Sequence, residues 1–150
     1  MRYTLVDRFL NLEPGRRARA VKCVTLGEPF LRRLPAYPGA LVLEALVQTG
    51  ALLTRAATGF MRRTVVGKIE HAVLNGEAHP GDTITLDVEI ALERTEGNLC
   101  EGVATVNGKE LARARFLILF VPKDKEPPPD PEAEERRARH IQALGLSEAS

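Results

Sequence analysis

At 150 residues and 44% apolar composition, the chain is long enough for one domain with a packed core and too apolar to be disordered by default. Its 21 basic and 20 acidic residues leave a net charge of +1, which argues against nucleic acid as the main partner, because a phosphate backbone calls for a basic excess or stripe. Two cysteines, Cys23 and Cys100, are too few for a disulfide framework and form no Cys-x-x-Cys pair, so no metal site is expected.

The first residues do not read as a signal peptide, because Asp7 and Arg8 interrupt any apolar run. Residues 5–12 read as a short strand or a helical turn. Glu13-Pro14-Gly15-Arg16 reads as a tight turn. Residues 17–26 look like a strand of imperfect alternation. Residues 27–37 read as a loop carrying Arg32, Arg33, Pro35 and Tyr37.

The next segment is the most informative. From about Gly39 to Thr58 the chain reads as a helix, with Gly59 placed for a left-handed stop. It is apolar on nearly every side, so burial on nearly every side is expected. Yet Glu44 and Gln48, four residues apart, share one face. A carboxylate inside a core is costly unless it is paired or useful. Pro38 and Gly39 start the helix tightly. The amides of Gly39 and Ala40 then lie at the positive end of the helix dipole, suited to an oxyanion or a carbonyl oxygen. Glu44, Gln48 and Arg55 make the segment a poor membrane span. A cytoplasmic protein is expected.

A sheet segment follows over residues 62–74, with turns at Asn75-Gly76 and His79-Pro80-Gly81-Asp82. Residues 83–93 alternate strictly: Ile84, Leu86, Val88, Ile90 and Leu92 against Thr83, Thr85, Asp87, Glu89 and Glu93. Thr95-Glu96-Gly97-Asn98 reads as a turn. Residues 99–106 and 110–121 read as strands joined at Asn107-Gly108, a strong hairpin signal. One long helix followed by an antiparallel meander is an α+β architecture. A lone helix cannot cover a sheet this long, so a homodimer or higher homo-oligomer is expected. The domain spans residues 1–121. Residues 122–150 form a proline-rich linker and a helical or disordered extension.

Several motifs, in order, resemble the (3R)-3-hydroxyacyl-[acyl-carrier-protein] dehydratases of bacterial fatty-acid synthesis. They are Val6-Asp7-Arg8-Phe9, Glu13-Pro14-Gly15, residues 24–30 (Val-Thr-Leu-Gly-Glu-Pro-Phe), the Pro38-to-Gln48 run, Gly67-Lys68-Ile69-Glu70, Pro80-Gly81-Asp82 and Gly108-Lys109. The resemblance covers residues 5–121. It implies a hot-dog fold, an antiparallel sheet wrapped around one long central helix, in dimers with active sites at their interface. It implies an acyl thioester on acyl-carrier protein or coenzyme A as ligand, and no metal or redox cofactor. It makes Glu44 the catalytic glutamate and raises a carbonyl-holding role for Gly39 and Ala40.

The histidine that the resemblance requires has no counterpart. Its Gly-His-Phe-Pro element is replaced by a shorter loop, Leu31-Arg32-Arg33-Leu34-Pro35-Ala36-Tyr37. Dehydration needs one group to take a proton from the carbon beside the carbonyl and one to donate to the departing hydroxyl. Three readings stay open: a divergent dehydratase using Glu44, a thioesterase using Glu44 as base or nucleophile, and a non-catalytic acyl-binding or assembly subunit. Gln48 either orients Glu44 or the thioester, or is a bonded core amide. Tyr37 either donates a proton or plugs the helix start. Arg32, Arg33 and Arg55 are candidate partners for Glu44. His71 reads as a strand residue and His79 as an exposed turn residue. Either can replace the missing histidine only by reaching the helix tip, which the fold implied by the resemblance does not favour.

Overall fold

The structure, a computed structural model, describes residues 4–146. Six antiparallel strands form one sheet: β1 (Arg8–Glu13), β2 (Arg17–Cys23), β3 (Thr64–Leu74), β4 (Thr83–Arg94), β5 (Gly97–Val106) and β6 (Lys109–Phe120). Their spatial order is β1-β2-β4-β5-β6-β3, so β1 and β3 are the edges. The helix α1 (Gly39–Ala56) packs on one face of the sheet, and a second helix, α2 (Pro131–Ala143), follows the strands. The architecture is α+β, as the pattern predicts.

Alternation does most of the work in the sheet. Ile84, Leu86 and Val88 of β4 are buried on the helix side, as are Ala18 and Ala20 of β2 and Cys100 and Ala104 of β5. The alternation of β4 is less strict in space than in sequence, because a register shift between Ile90 and Leu92 leaves Leu92 exposed. β5 begins at Gly97, so the β4–β5 turn is Thr95-Glu96 alone. At the next hairpin Asn107 (φ 50°) and Gly108 (φ 79°) both adopt the left-handed conformation that a two-residue turn needs.

α1 ends two residues before the expected Thr58, and Gly59 and Phe60 carry the left-handed φ values at its stop. Its burial corrects the sequence reading. Val42, Ala45, Leu46, Val47, Thr49, Gly50, Leu52, Leu53 and Thr54 are buried. Ala40 and Glu44 are exposed, and Leu41, Leu43, Gln48, Ala51 and Arg55 are half-buried. The sheet reaches round one side of the helix only, and the other side stays open. Where the two meet, packing is tight: a Cβ on Gly50 would stand 2.5 Å from Cε2 of Phe116.

Asp130 caps α2 through its Oδ1, which accepts from the Glu132 amide at 3.1 Å, and Pro131 occupies the first turn. Beyond α2 the chain returns to the sheet. The Leu144 carbonyl accepts from the Phe9 amide at 2.8 Å, and the Leu144 side chain joins the main apolar core.

Candidate functional site

The site is built on the open side and the tip of α1. Proline as N-cap offers no side-chain oxygen, and no side chain caps this helix start. The Pro38 carbonyl accepts from Leu41 and Val42 at 3.0 and 3.2 Å. The amides of Gly39 and Ala40 lie ahead of those bonds, at the positive end of an 18-residue helix.

Glu44 was expected inside a core; it stands exposed on the open side of α1. The reason is rotational. The sheet takes the face carrying Val42, Leu46, Gly50 and Leu53, and Glu44 falls outside that arc. Gln48 does two jobs. Its Oε1 accepts from the Leu5 amide at 2.9 Å, and its Nε2 donates to Glu44 Oε1 across a long 3.5 Å. The amide thus ties the carboxylate to the N-terminal segment. Arg55, one candidate partner for Glu44, donates instead to the Phe60 and Arg62 carbonyls at the far end of the helix. Arg32 and Arg33 are exposed in the loop.

Tyr37 is buried just before the helix. Its amide donates to the Ala78 carbonyl at 2.8 Å, forming an antiparallel bridge. Burial, with smaller contributions from the carboxylates of Glu28 and Asp7, pushes its phenol up to about 12. The hydroxyl is therefore a neutral donor, set within the fold rather than on the open side of α1.

Sequence reasoning passed over Lys22. It is only 7% exposed, with its ammonium 2.8 Å from Glu28 Oε1 and 3.9 Å from Asp7 Oδ1. Asp7 Oδ2 also accepts from the Cys23 amide at 2.6 Å. These bonds fasten the loop that leads towards Tyr37 to β2. The signal was available: Lys22 shares the parity of Ala18 and Ala20, so alternation turns it inward. His71 lies on β3 and lines a cavity of about 760 Å³ on the opposite face of the sheet, with Glu101, Arg113 and Arg115. His79 sits in an exposed turn next to Ala78, the bridge partner of Tyr37.

An antiparallel sheet wrapped on one helix, with a carboxylate and an amide on the helix's open side, defines a hot-dog protein. The chain belongs to the FabA-like domain family, which matches residues 1–115. It is 38% identical over 121 residues to a 3-hydroxyacyl-[acyl-carrier-protein] dehydratase FabZ of Roseiflexus sp. (strain RS-1), covering 77% of this chain and 85% of the relative. In fold it is similar to smu.793 from Streptococcus mutans UA159 bound to acetyl CoA (TM-score 0.67, 16% identity, 81% of this chain and 93% of that one). It is also similar to a hypothetical thioesterase with coenzyme A from Streptococcus pneumoniae TIGR4 (TM-score 0.64, 12% identity, 76% and 87%). Among the described residues no helix is long and apolar enough to cross a membrane.

Proposed function

We propose that this chain is a cytoplasmic 3-hydroxyacyl-thioester dehydratase of fatty-acid synthesis, acting on acyl chains carried by acyl-carrier protein or coenzyme A. The observation that carries the reading is the placement of Glu44. It is an exposed carboxylate a little over one turn inside an uncapped helix start, steadied by Gln48. The Gly39 and Ala40 amides hold the thioester carbonyl, which stabilises negative charge as the proton beside it departs. Glu44 takes that proton, and Gln48 keeps the carboxylate in place. Family membership and the FabZ relatives support the substrate class.

The same reading includes a homodimer. The β3 edge exposes Val65, Val66, Ile69, Val73 and Leu74. An open apolar edge of this length is a hazard unless something covers it. A second copy covers it and closes the open side of α1. A monomer found by light scattering at micromolar concentration would remove this part.

A thioesterase is the second reading, favoured by the absence of any histidine between Glu28 and Ala40. A carboxylate and a helix tip suffice for thioester hydrolysis. The test supplies crotonyl and 3-hydroxybutyryl thioesters to purified protein. Enoyl absorbance reports hydration and dehydration, and free thiol reports hydrolysis. Interconversion lost in Glu44→Gln, with no thiol released, is the expected result. Thiol release dependent on Glu44 would move the assignment to thioesterase. No turnover of either kind would leave an acyl-binding subunit.

A further inference from the structure

An amide side chain can present either its oxygen or its NH2 to a neighbour, and only the NH2 supports a carboxylate. At Gln48 the N-terminal segment makes that choice. The Leu5 amide donates to Gln48 Oε1 at 2.9 Å, which turns Nε2 to Glu44 Oε1. Leu5 and Val6 are both buried. Were Leu5 displaced, the same side chain could turn its oxygen to the carboxylate and repel it. The orientation of Gln48 therefore depends on what holds residues 5–7.

What holds them is β2. The Asp7 amide donates to the Val21 carbonyl at 2.9 Å, and the Cys23 amide donates to Asp7 Oδ2 at 2.6 Å. Lys22 comes between those two residues in the strand, with its ammonium 3.9 Å from Asp7 Oδ1 and 2.8 Å from Glu28 Oε1. Glu28 belongs to the loop that ends at Tyr37 and the helix start. Its amide donates to the Thr25 carbonyl at 3.2 Å, and its carbonyl accepts from the Leu31 amide at 3.1 Å. One buried cation is thus shared by carboxylates from two separate segments. Without it, Asp7 and Glu28 would bring like charges together and push those segments apart. Burying an ammonium is also costly, and β2 fills its other inward positions with Ala18 and Ala20. An apolar residue would have served the core at lower cost.

We propose that Lys22 is a positioning residue for the reaction: by tying Asp7 to Glu28 it fixes residues 5–7, which lock Gln48 with its NH2 towards Glu44. This rests on the dehydratase reading above. Lys22 touches neither substrate nor Glu44. It acts through Asp7, the Leu5 amide and Gln48 in turn, so its loss should be felt in the proton-transfer step rather than in binding.

The test follows enoyl absorbance with 3-hydroxybutyryl- and crotonyl-coenzyme A as probes. Lys22→Met should lower kcat ~10- to 100-fold with KM within about threefold, as for a misplaced group that acts in the transition state. Lys22→Arg should restore most of the rate. Gln48→Leu should lose about as much as Lys22→Met, and the two together should cost no more than the worse one alone, as for residues in one chain of contacts. Lys22→Met also leaves two carboxylates without their cation, so its thermal midpoint should fall. Lys22→Met combined with Glu28→Leu removes one charge of each sign and should recover the midpoint, yet remain slow. If that pair is folded and within about threefold of wild type, the inference falls while the dehydratase reading stands. It falls equally if the Lys22 and Gln48 effects multiply. Asp7→Asn keeps an acceptor for Cys23 and reads the same link should the pair not fold: it should slow kcat, and an unchanged kcat overturns the inference. If wild type fails to interconvert the two thioesters, both readings fall.

Discussion

On the side of α1 that meets the sheet, Gly50 lies against Phe116 and Leu46 is wholly buried. On the other side Glu44 stands in solvent, and Gln48 reaches both to it and to Leu5. The first side is specified by shape, and a change there is felt as lost stability. On the proposed function the second is specified by chemistry, and a change there should be felt as lost turnover. On that reading one helix keeps fold and function on separate arcs, and substitutions should pull them apart.

The largest effect should come from Glu44→Gln. It should cost ~100- to 10,000-fold in turnover, while moving stability by no more than ~0.5 kcal/mol, as for an exposed site. A stability loss as large as that of a core substitution would erase the distinction between the arcs. Leu46→Ala should do the reverse and destabilise by about 2–5 kcal/mol, measured by denaturant unfolding. Gly50→Ala comes next, at about 1–3 kcal/mol, because the new methyl must displace the Phe116 ring. An unchanged thermal midpoint would show that the ring gives way freely.

The smallest effect concerns pH. Burial raises the Tyr37 phenol from its ordinary 10.0 to about 12. The folded state thus disfavours its ionisation. The resulting stability is present below the ordinary value and is lost as pH rises through the raised one. Between those limits wild type should lose unfolding free energy more steeply than Tyr37→Phe. Parallel curves would show that Tyr37 ionises as readily in the fold as in the unfolded chain.

Much of the fold was legible because its signals are local. The alternation of β4 and the Asn107-Gly108 turn are properties of a few neighbouring residues. So is the helix start at Pro38-Gly39. The orientation of Glu44 was not legible for the opposite reason. A helix apolar on nearly every side does not say which arc the sheet will take. The Tyr37–Ala78 bridge joins two loops far apart in sequence, and no local pattern announces it. The return of Leu144 to Phe9 is equally non-local. Lys22 was legible by parity, yet its charge argued for a surface position until Glu28 and Asp7 were found beside it.

The bond between Leu144 and Phe9 also sets a limit on assembly. A sheet with two open edges can add copies without end, as fibres do. Here the β1 edge is occupied at Phe9 by the chain's own carbonyl, while the β3 edge stays open. In the proposed homodimer, copies joined through β3 would turn β1 outward, where the Phe9 amide is already taken. On that proposal the segment after α2 would hinder edge-to-edge growth beyond two copies.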